Sequence, residues 1–169
     1  MFVGLTISLS EVYMSKVIMT CGPVCCGKST YARRIRAQSN AVILSIDDIT
    51  LTMFPDGAGD MHDAYAMRAE KYLLELSLQI LQTGVDVILD WGLWTKEIRD
   101  RIRSFYAANN AIQTELHYLR ISPEEWNRRI SKRNAAGELS YYVDNGLLEK
   151  SKSLFEEPSE DEVDVLVDH

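Results

Sequence analysis

The sequence predicts an α/β chain: a parallel sheet of about five strands between two layers of helices, a three-layer αβα arrangement. Three observations predict it. Short apolar runs recur without the alternation of a strand that has one wet face, so these strands are buried on both sides. Segments with a helical period lie between them. The two kinds alternate along the chain, as parallel strands joined by helical crossovers require. The chain has 169 residues, 46% hydrophobic and 25% charged, enough for one domain whose core needs no disulfide.

The first strand is "KVIMTC" (16–21), which ends at Gly22. "KSTYARRIRAQ" (28–38) has strong helix formers and no breaker. "AVILSI" (41–46) reads as a second strand closed by Asp47 and Asp48, and "LTMFPDGAGD" (51–60) as a loop, since Pro and two Gly break any period. From Met61 to Gln82 the apolar positions 61, 65, 69, 72, 76 and 80 trace one helix face, with Gly84 suited to the stop. "VDVILD" (85–90) is the third strand, and Thr95 can cap a helix that runs through about Ala108. "IQTELHYLRI" (112–121) is the fourth. "SPEEW" (122–126) opens a helix with Ser at the cap, Pro in the first turn and two acids against the dipole. "NGLLEKSKSLF" reads as a last helix and "VDVLV" (163–167) as a fifth strand.

The net charge of −7 is uneven. Residues 156–169 hold seven acids and no Lys or Arg, which leaves eighteen acids against eighteen bases in the rest. A neutral body excludes the broad basic face that extended nucleic acid needs. The acidic tail reads as a sheet edge with solvated surface. Cys21, Cys25 and Cys26 lack a second ligand pair for zinc, and their odd number fits a reducing compartment, so a cytoplasmic protein is expected. Residues 1–14 read as an extension ahead of a single domain at 15–169, with Met14 a candidate start. They lack the basic start and long apolar centre of a signal peptide, and no run is long enough to span a membrane.

In a sheet of this kind ligands bind beyond the carboxyl ends of the strands, where Gly22, Asp47 and Asp90 all fall. Gly22-Pro23-Val24-Cys25-Cys26-Gly27-Lys28-Ser29, followed by Thr30, fits G-x-x-x-x-G-K-[ST], the phosphate-binding P-loop. Successive backbone N–H groups wrap a phosphate, the glycines permit the turns, and the next helix points its N-terminal dipole at the anion. Lys28 is then the contact to the β- and γ-phosphates and Ser29 a ligand of Mg²⁺. The cysteines read as small packing residues, with oxidation of the loop thiols as the alternative.

Of the uses of such a loop, a GTPase is excluded by the absence of any N-K-x-D. A motor is disfavoured because Asp90 is followed by Trp91 rather than a Glu that activates water. Asp90 suits a magnesium held through water, or a cap on the turn after its strand. Asp47 can orient a hydroxyl and take its proton, with Asp48 beside it; the other reading is a pair of acids capping the next segment. On the helix from Pro123, with Trp126 at 0°, Ile130 falls at about 40°, Arg133 at about −20° and Arg129 at about −60°. Arg129 and Arg133 therefore share the inward face and need an anion, either a triphosphate or a structural acid. Arg128 and Lys132 face solvent. Trp91 and Trp94 read as packing or as a platform for a substrate ring, and Asp60, His62 and Arg68 as weaker candidates for substrate contact.

"GPVCCGKSTYARRI", "LSIDDI", "ILDWGLWTKEIRDR", "LHYLRISPEEWNRRISKRN" and "LFEEPSEDE" resemble, in that order, a family of small AAA-type P-loop kinases similar to zeta toxins, chloramphenicol phosphotransferase and polynucleotide 5′-kinases. The resemblance covers roughly residues 16–163. It implies a nucleoside/nucleotide-kinase type of P-loop NTPase fold with a small helical lid at about 126–145, Asp47 as the group that activates the acceptor hydroxyl, Arg129 and Arg133 as lid arginines, and a substrate contact from Arg99. The family's loops are rich in glycine and serine; Cys25 and Cys26 depart from that. The expectation is a kinase that uses ATP and Mg²⁺ to phosphorylate a hydroxyl of a small molecule. A nucleotide-dependent binding module or slow ATPase, and a polynucleotide 5′-end kinase, are the alternatives.

Overall fold

A computed structural model describes residues 14–136 and 145–168. Five strands, β1 (Val17–Cys21), β2 (Ala41–Leu44), β3 (Asp86–Leu89), β4 (Thr114–Arg120) and β5 (Val165–Asp168), form one sheet in the order β2-β3-β1-β4-β5. All the pairings are parallel, and β1 at the centre pairs Val17 with Val87 on one side and with Thr114 on the other. The described residues hold six helices: α1 (Lys28–Gln38), α2 (Ile46–Met53), α3 (His62–Leu81), α4 (Lys96–Ala108), α5 (Pro123–Ala136) and α6 (Asn145–Leu154).

β1 and β3 are buried on both faces, as expected of parallel strands with helical crossovers, whereas the edge strands β2 and β5 leave Val42, Val165 and Leu166 exposed. On one face α1 lays Ala32 and Ile35 over Ile18, Ala41 and Ile88. On the other, Leu73, Leu74 and Leu81 of α3 and Ile102 and Tyr106 of α4 cover Val17, Met19, Val87, Leu89 and Leu116. The buried face of α3 is rotated from the stripe read in the sequence. Tyr72 is exposed, and Ser77 lies inside, where its hydroxyl meets the Tyr106 hydroxyl at 2.7 Å. The leucines decide which side of this helix meets the sheet.

The second strand is shorter than the sequence suggested. It ends at Leu44, and Ser45 caps α2 by accepting a hydrogen bond from the Asp48 amide at 3.1 Å. Residues 46–53, read as the end of a strand and the start of a loop, are helical. The cap and the two acids of the first turn outweigh the strand propensity of Ile46. The lid expected at about 126–145 is α5 as far as Ala136; residues 137–144 lie outside the described residues, as does the extension at 1–13.

The acidic tail is more than solvated surface. Glu162, only 5% exposed, pairs with Arg99, only 1% exposed, through Nε at 3.0 Å and Nη2 at 3.2 Å. Arg99 Nη1 lies within reach of three carbonyls, those of Leu93, Trp94 and Glu156. The guanidinium thus has a fork of acceptors on every side, the condition under which a buried ion pair is tolerated. The hydrogen bonds from Arg99 hold the Glu162 carboxyl down to about 2, against an ordinary value of 4.5. A depressed carboxyl stabilises the fold above its unfolded value and ceases to do so as pH falls through its folded value. Glu162→Gln should therefore cost about 3 kcal/mol at neutral pH. In urea unfolding, the gap between the two proteins should close as pH falls from 4.5 towards 2.

Candidate functional site

The loops at the carboxyl ends of β1, β2 and β3 and the start of α1 frame a cleft of about 880 Å³. The turn from β1 into α1 is built from unusual backbone. Gly22 has φ 152°, and a Cβ there would stand 2.6 Å from Cys26 Sγ and 2.9 Å from the Leu119 carbonyl, so only glycine passes. Gly27, at φ 107°, caps α1 without a side-chain bond. The first amides of that helix are left to a ligand or solvent, which is the condition for an anion seat.

Lys28 bends over this turn, and its Nζ donates to the carbonyls of Gly22 at 2.9 Å and Pro23 at 2.8 Å. Ser29 and Thr30 are exposed to the cleft. Ser29 lines the cleft with Asp90, which follows β3, the strand next to β2, and the Ser29 hydroxyl favours the ionised form of Asp90. Asp47, in the first turn of α2, lines the same cleft. Burial, then the charge of Asp90, raises the Asp47 pKa. Asp90 is raised as well, by burial first, with the Ser29 hydroxyl and Lys28 pulling the other way. Asp48 is exposed and does not line the cleft; its amide serves the Ser45 cap.

Helix α5 reads the same turn from outside. Trp126 Nε1 donates to the Val24 carbonyl at 2.6 Å, and Arg129 Nη1 to the Cys26 carbonyl at 2.6 Å. Arg129 Nε also donates to Glu125 at 2.6 Å, so it has both a structural acid and the loop. Arg133 Nη1 lies 3.5 Å from Cys25 Sγ, and its buried Nε has no partner among the described residues. Arg129 and Arg133 both line the cleft, while Arg128 pairs with Glu125 at the surface. Helix α6 adds Ser151, whose hydroxyl accepts from the Val24 amide at 3.2 Å.

The cysteines differ. Burial pushes the Cys21 thiol up to about 11, and Cys26 is fully buried, so both are packing residues. Cys25 is partly open and sits at φ 62°, in the left-handed region that costs an L-residue.

Two expected substrate contacts are corrected. Arg99 cannot touch a substrate, because its guanidinium is enclosed and occupied by Glu162 and three carbonyls. Trp91 contributes an edge to the cleft wall but is 4% exposed and belongs to the main core, so it offers no stacking face. Tyr31, Arg33, Arg34, Asp63 and Lys150 line the cleft although no motif marks them, and His62 does so as well, whereas Asp60 and Arg68 do not. The i, i+4 spacing of Ser29 to Arg33 and Thr30 to Arg34 was the available signal for two of them.

Residues 17–158 match the family described as AAA domain, and the chain belongs to that family. Comparison with curated proteins gives no match. Among solved structures the chain is similar to an unliganded sugar kinase from Janibacter sp. HTCC2649, with 17% identity, 91% of this chain and 85% of that one covered, and a TM-score of 0.63. It is similar to the Mycobacterium tuberculosis APS kinase CysC in complex with AMPPNP and APS, with 17% identity, 92% and 88% covered and a TM-score of 0.60. It is also similar to a chain of the Pnkp1/Rnl/Hen1 RNA repair complex, with 23% identity, 85% of this chain and 47% of that one covered, and a TM-score of 0.64. The fold is the P-loop NTPase fold of kinase type.

The coupling between the carboxylates can be tested in metal-free protein. Asp90→Asn removes a negative charge that raises the Asp47 pKa, so carboxyl NMR should show Asp47 titrating at lower pH in the variant than in the wild type.

Proposed function

We propose that the protein is an ATP-dependent kinase that transfers the γ-phosphate to a hydroxyl of a small molecule. The observation that carries this reading is the meeting, in one cleft, of an uncapped helix start with Lys28 and of a carboxylate, Asp47, across from it. The first is an anion seat and the second a hydroxyl-orienting group. In this reading Lys28 and the amides of the turn and the first turn of α1 that have no partner within the protein, those of Val24 and Cys26 being donated to Ser151 and Pro23, hold the terminal phosphates, and Arg129 and Arg133 lie against the charge that develops on the transferred group.

The residues also suit magnesium. Among the described residues no cluster of three or more His, Cys, Asp or Glu forms a protein cage for an ion. The Ser29–Asp90 pair instead offers one hydroxyl and one carboxylate beside the phosphate seat. Such a sparse donor set suits Mg²⁺, which keeps several waters and shares its shell with phosphate oxygens. Bound there, it would neutralise charge on the β- and γ-phosphates. Asp47 accepts the proton of the acceptor hydroxyl, and its raised pKa brings it closer to that task than a carboxylate at the ordinary value.

Arg33, Arg34 and Lys150 on the cleft wall favour an acceptor that carries an anionic group as well as a hydroxyl. No described helix is long and apolar enough to cross a membrane. The test is incubation with γ-labelled ATP and a panel of sugars, sugar acids, nucleosides and 5′-hydroxyl oligonucleotides. Label should move to a hydroxyl compound; release of inorganic phosphate alone, with every acceptor, would make the protein an ATPase or a switch. Asp47→Asn should lower transfer at least about tenfold with MgATP affinity retained in calorimetry. Loss of affinity instead would make Asp47 a structural or metal residue.

A further inference from the structure

The loop between Asp90 and α4 lies between the two halves of the proposed chemistry. In the strand order β2-β3-β1, the end of β3 separates Asp47, beyond β2, from the phosphate turn, beyond β1. Residues 91, 92 and 94 form cleft wall at that place. The loop does not hold its shape by local preference: Leu93 sits at φ 45°, the left-handed region, which costs an L-residue on the order of 1–2 kcal/mol. The Trp91 and Trp94 indole N–H groups have no partner among the described residues and do not tie it down.

Trp91 and Leu93 bury their side chains in the main core, and the loop's carbonyls are gathered by Arg99. One guanidinium nitrogen shares its hydrogens among the carbonyls of Leu93 at 3.3 Å, Trp94 at 3.4 Å and Glu156 at 3.0 Å, while the other two face Glu162. The tail reinforces the same point. The Glu156 amide donates to the Trp94 carbonyl at 2.8 Å, and its carboxylate accepts from the Lys96 amide at 2.7 Å. Glu162 is itself held by the Ser159 amide and hydroxyl.

We propose that Arg99 is a positioning residue for phosphoryl transfer, and that residues 156–162 are a strap which, through Arg99, fixes the 91–94 wall between nucleotide and acceptor. This rests on the kinase reading above. The pair touches neither the phosphate turn nor Asp47, so it acts on the placement of Asp90 and the wall and not on the seat of the triphosphate. A displacement on the order of 1 Å at such a wall is enough to lower a rate by orders of magnitude.

The test uses Arg99→Lys, which keeps the charge but loses the planar fork, and the exchange Arg99→Glu with Glu162→Arg, which restores an ion pair but withdraws the guanidinium from the carbonyls of Leu93 and Trp94. MgATP affinity is read by calorimetry, turnover by basal ATP hydrolysis without acceptor, and the wall by acrylamide quenching of indole emission. Expected for Arg99→Lys are an affinity within roughly twofold of wild type, hydrolysis slower by roughly tenfold or more, and stronger quenching. The exchange should recover melting temperature relative to Arg99→Glu alone without recovering hydrolysis. Wild-type hydrolysis in folded Arg99→Lys, or hydrolysis that recovers with melting temperature in the exchange, would make the pair structural only and overturn the inference. A parallel fall of affinity and turnover would overturn it too, by placing the effect at the nucleotide. A wild-type protein that neither binds nor hydrolyses MgATP would instead sink the kinase reading, so the two failures differ.

Discussion

The chain must turn back on itself between Cys21 and Lys28 through left-handed Cys25 and positive-φ Gly22 and Gly27, and the rest of the cleft is arranged around that turn. A backbone in this state leaves its carbonyls pointing outward, each needing a donor. Lys28 takes those of Gly22 and Pro23, Trp126 that of Val24, and Arg129 that of Cys26. Helix α5, far along the chain, therefore docks on the carbonyls of the turn, and α6 meets it through Ser151, which accepts from the Val24 amide. A turn supported in this way tolerates Cys25 in the left-handed region, because tertiary contacts outweigh a local cost on the order of 1–2 kcal/mol.

The same supports set the electrostatics. The molecule carries −7, yet its cleft gathers Lys28, Arg33, Arg34, Arg129, Arg133 and Lys150 against Asp47, Asp63 and Asp90. Acids elsewhere do structural work: Glu125 holds Arg128 and Arg129, Glu115 holds Lys16, and Glu162 holds Arg99. Net charge is thus a poor guide to what this protein attracts; the sign that matters is the local one, focused by low-dielectric walls. Asp47 and Asp90 are raised chiefly by burial, with the charge of Asp90 adding at Asp47 and that of Asp48 at Asp90, and Lys28 is the cation that opposes this at both.

Local signals and long-range ones differ in how far they could be read. The phosphate turn, α1, the cap at Thr95 and the start of α5 were legible because each is encoded within about one helical turn of sequence, and the inward set of Trp126, Arg129, Ile130 and Arg133 followed from helix period alone. Helix α2 was encoded just as locally, in Ser45 and the acids after it, but the apolar run "AVILSI" masked it. Arg99 was misassigned for a different reason. Its partners lie 57 and 63 residues away, and no spacing rule connects them, so nothing in the sequence set the substrate contact implied by the resemblance against enclosure by the tail. Lys150 and Ser151 were hidden in the same way, since helix period says which face they share but not that the face meets the cleft or the turn from β1.

The placement of the Arg99–Glu162 pair follows from a conflict within the fold. The carboxyl edge of the sheet must stay polar and open to admit a nucleotide, so the main chain of its loops needs partners from elsewhere in the chain. The turn after β1 is held by α5 and α6; the loop after β3 seats Trp91 and Leu93 in the main core, with Leu93 in the left-handed region. A buried guanidinium with five possible donors meets that need at one point, provided every neighbouring acceptor is satisfied, and a carboxylate from the chain's last segment completes the set. The acidic tail is in this sense part of the cleft's construction, although none of its side chains lines it.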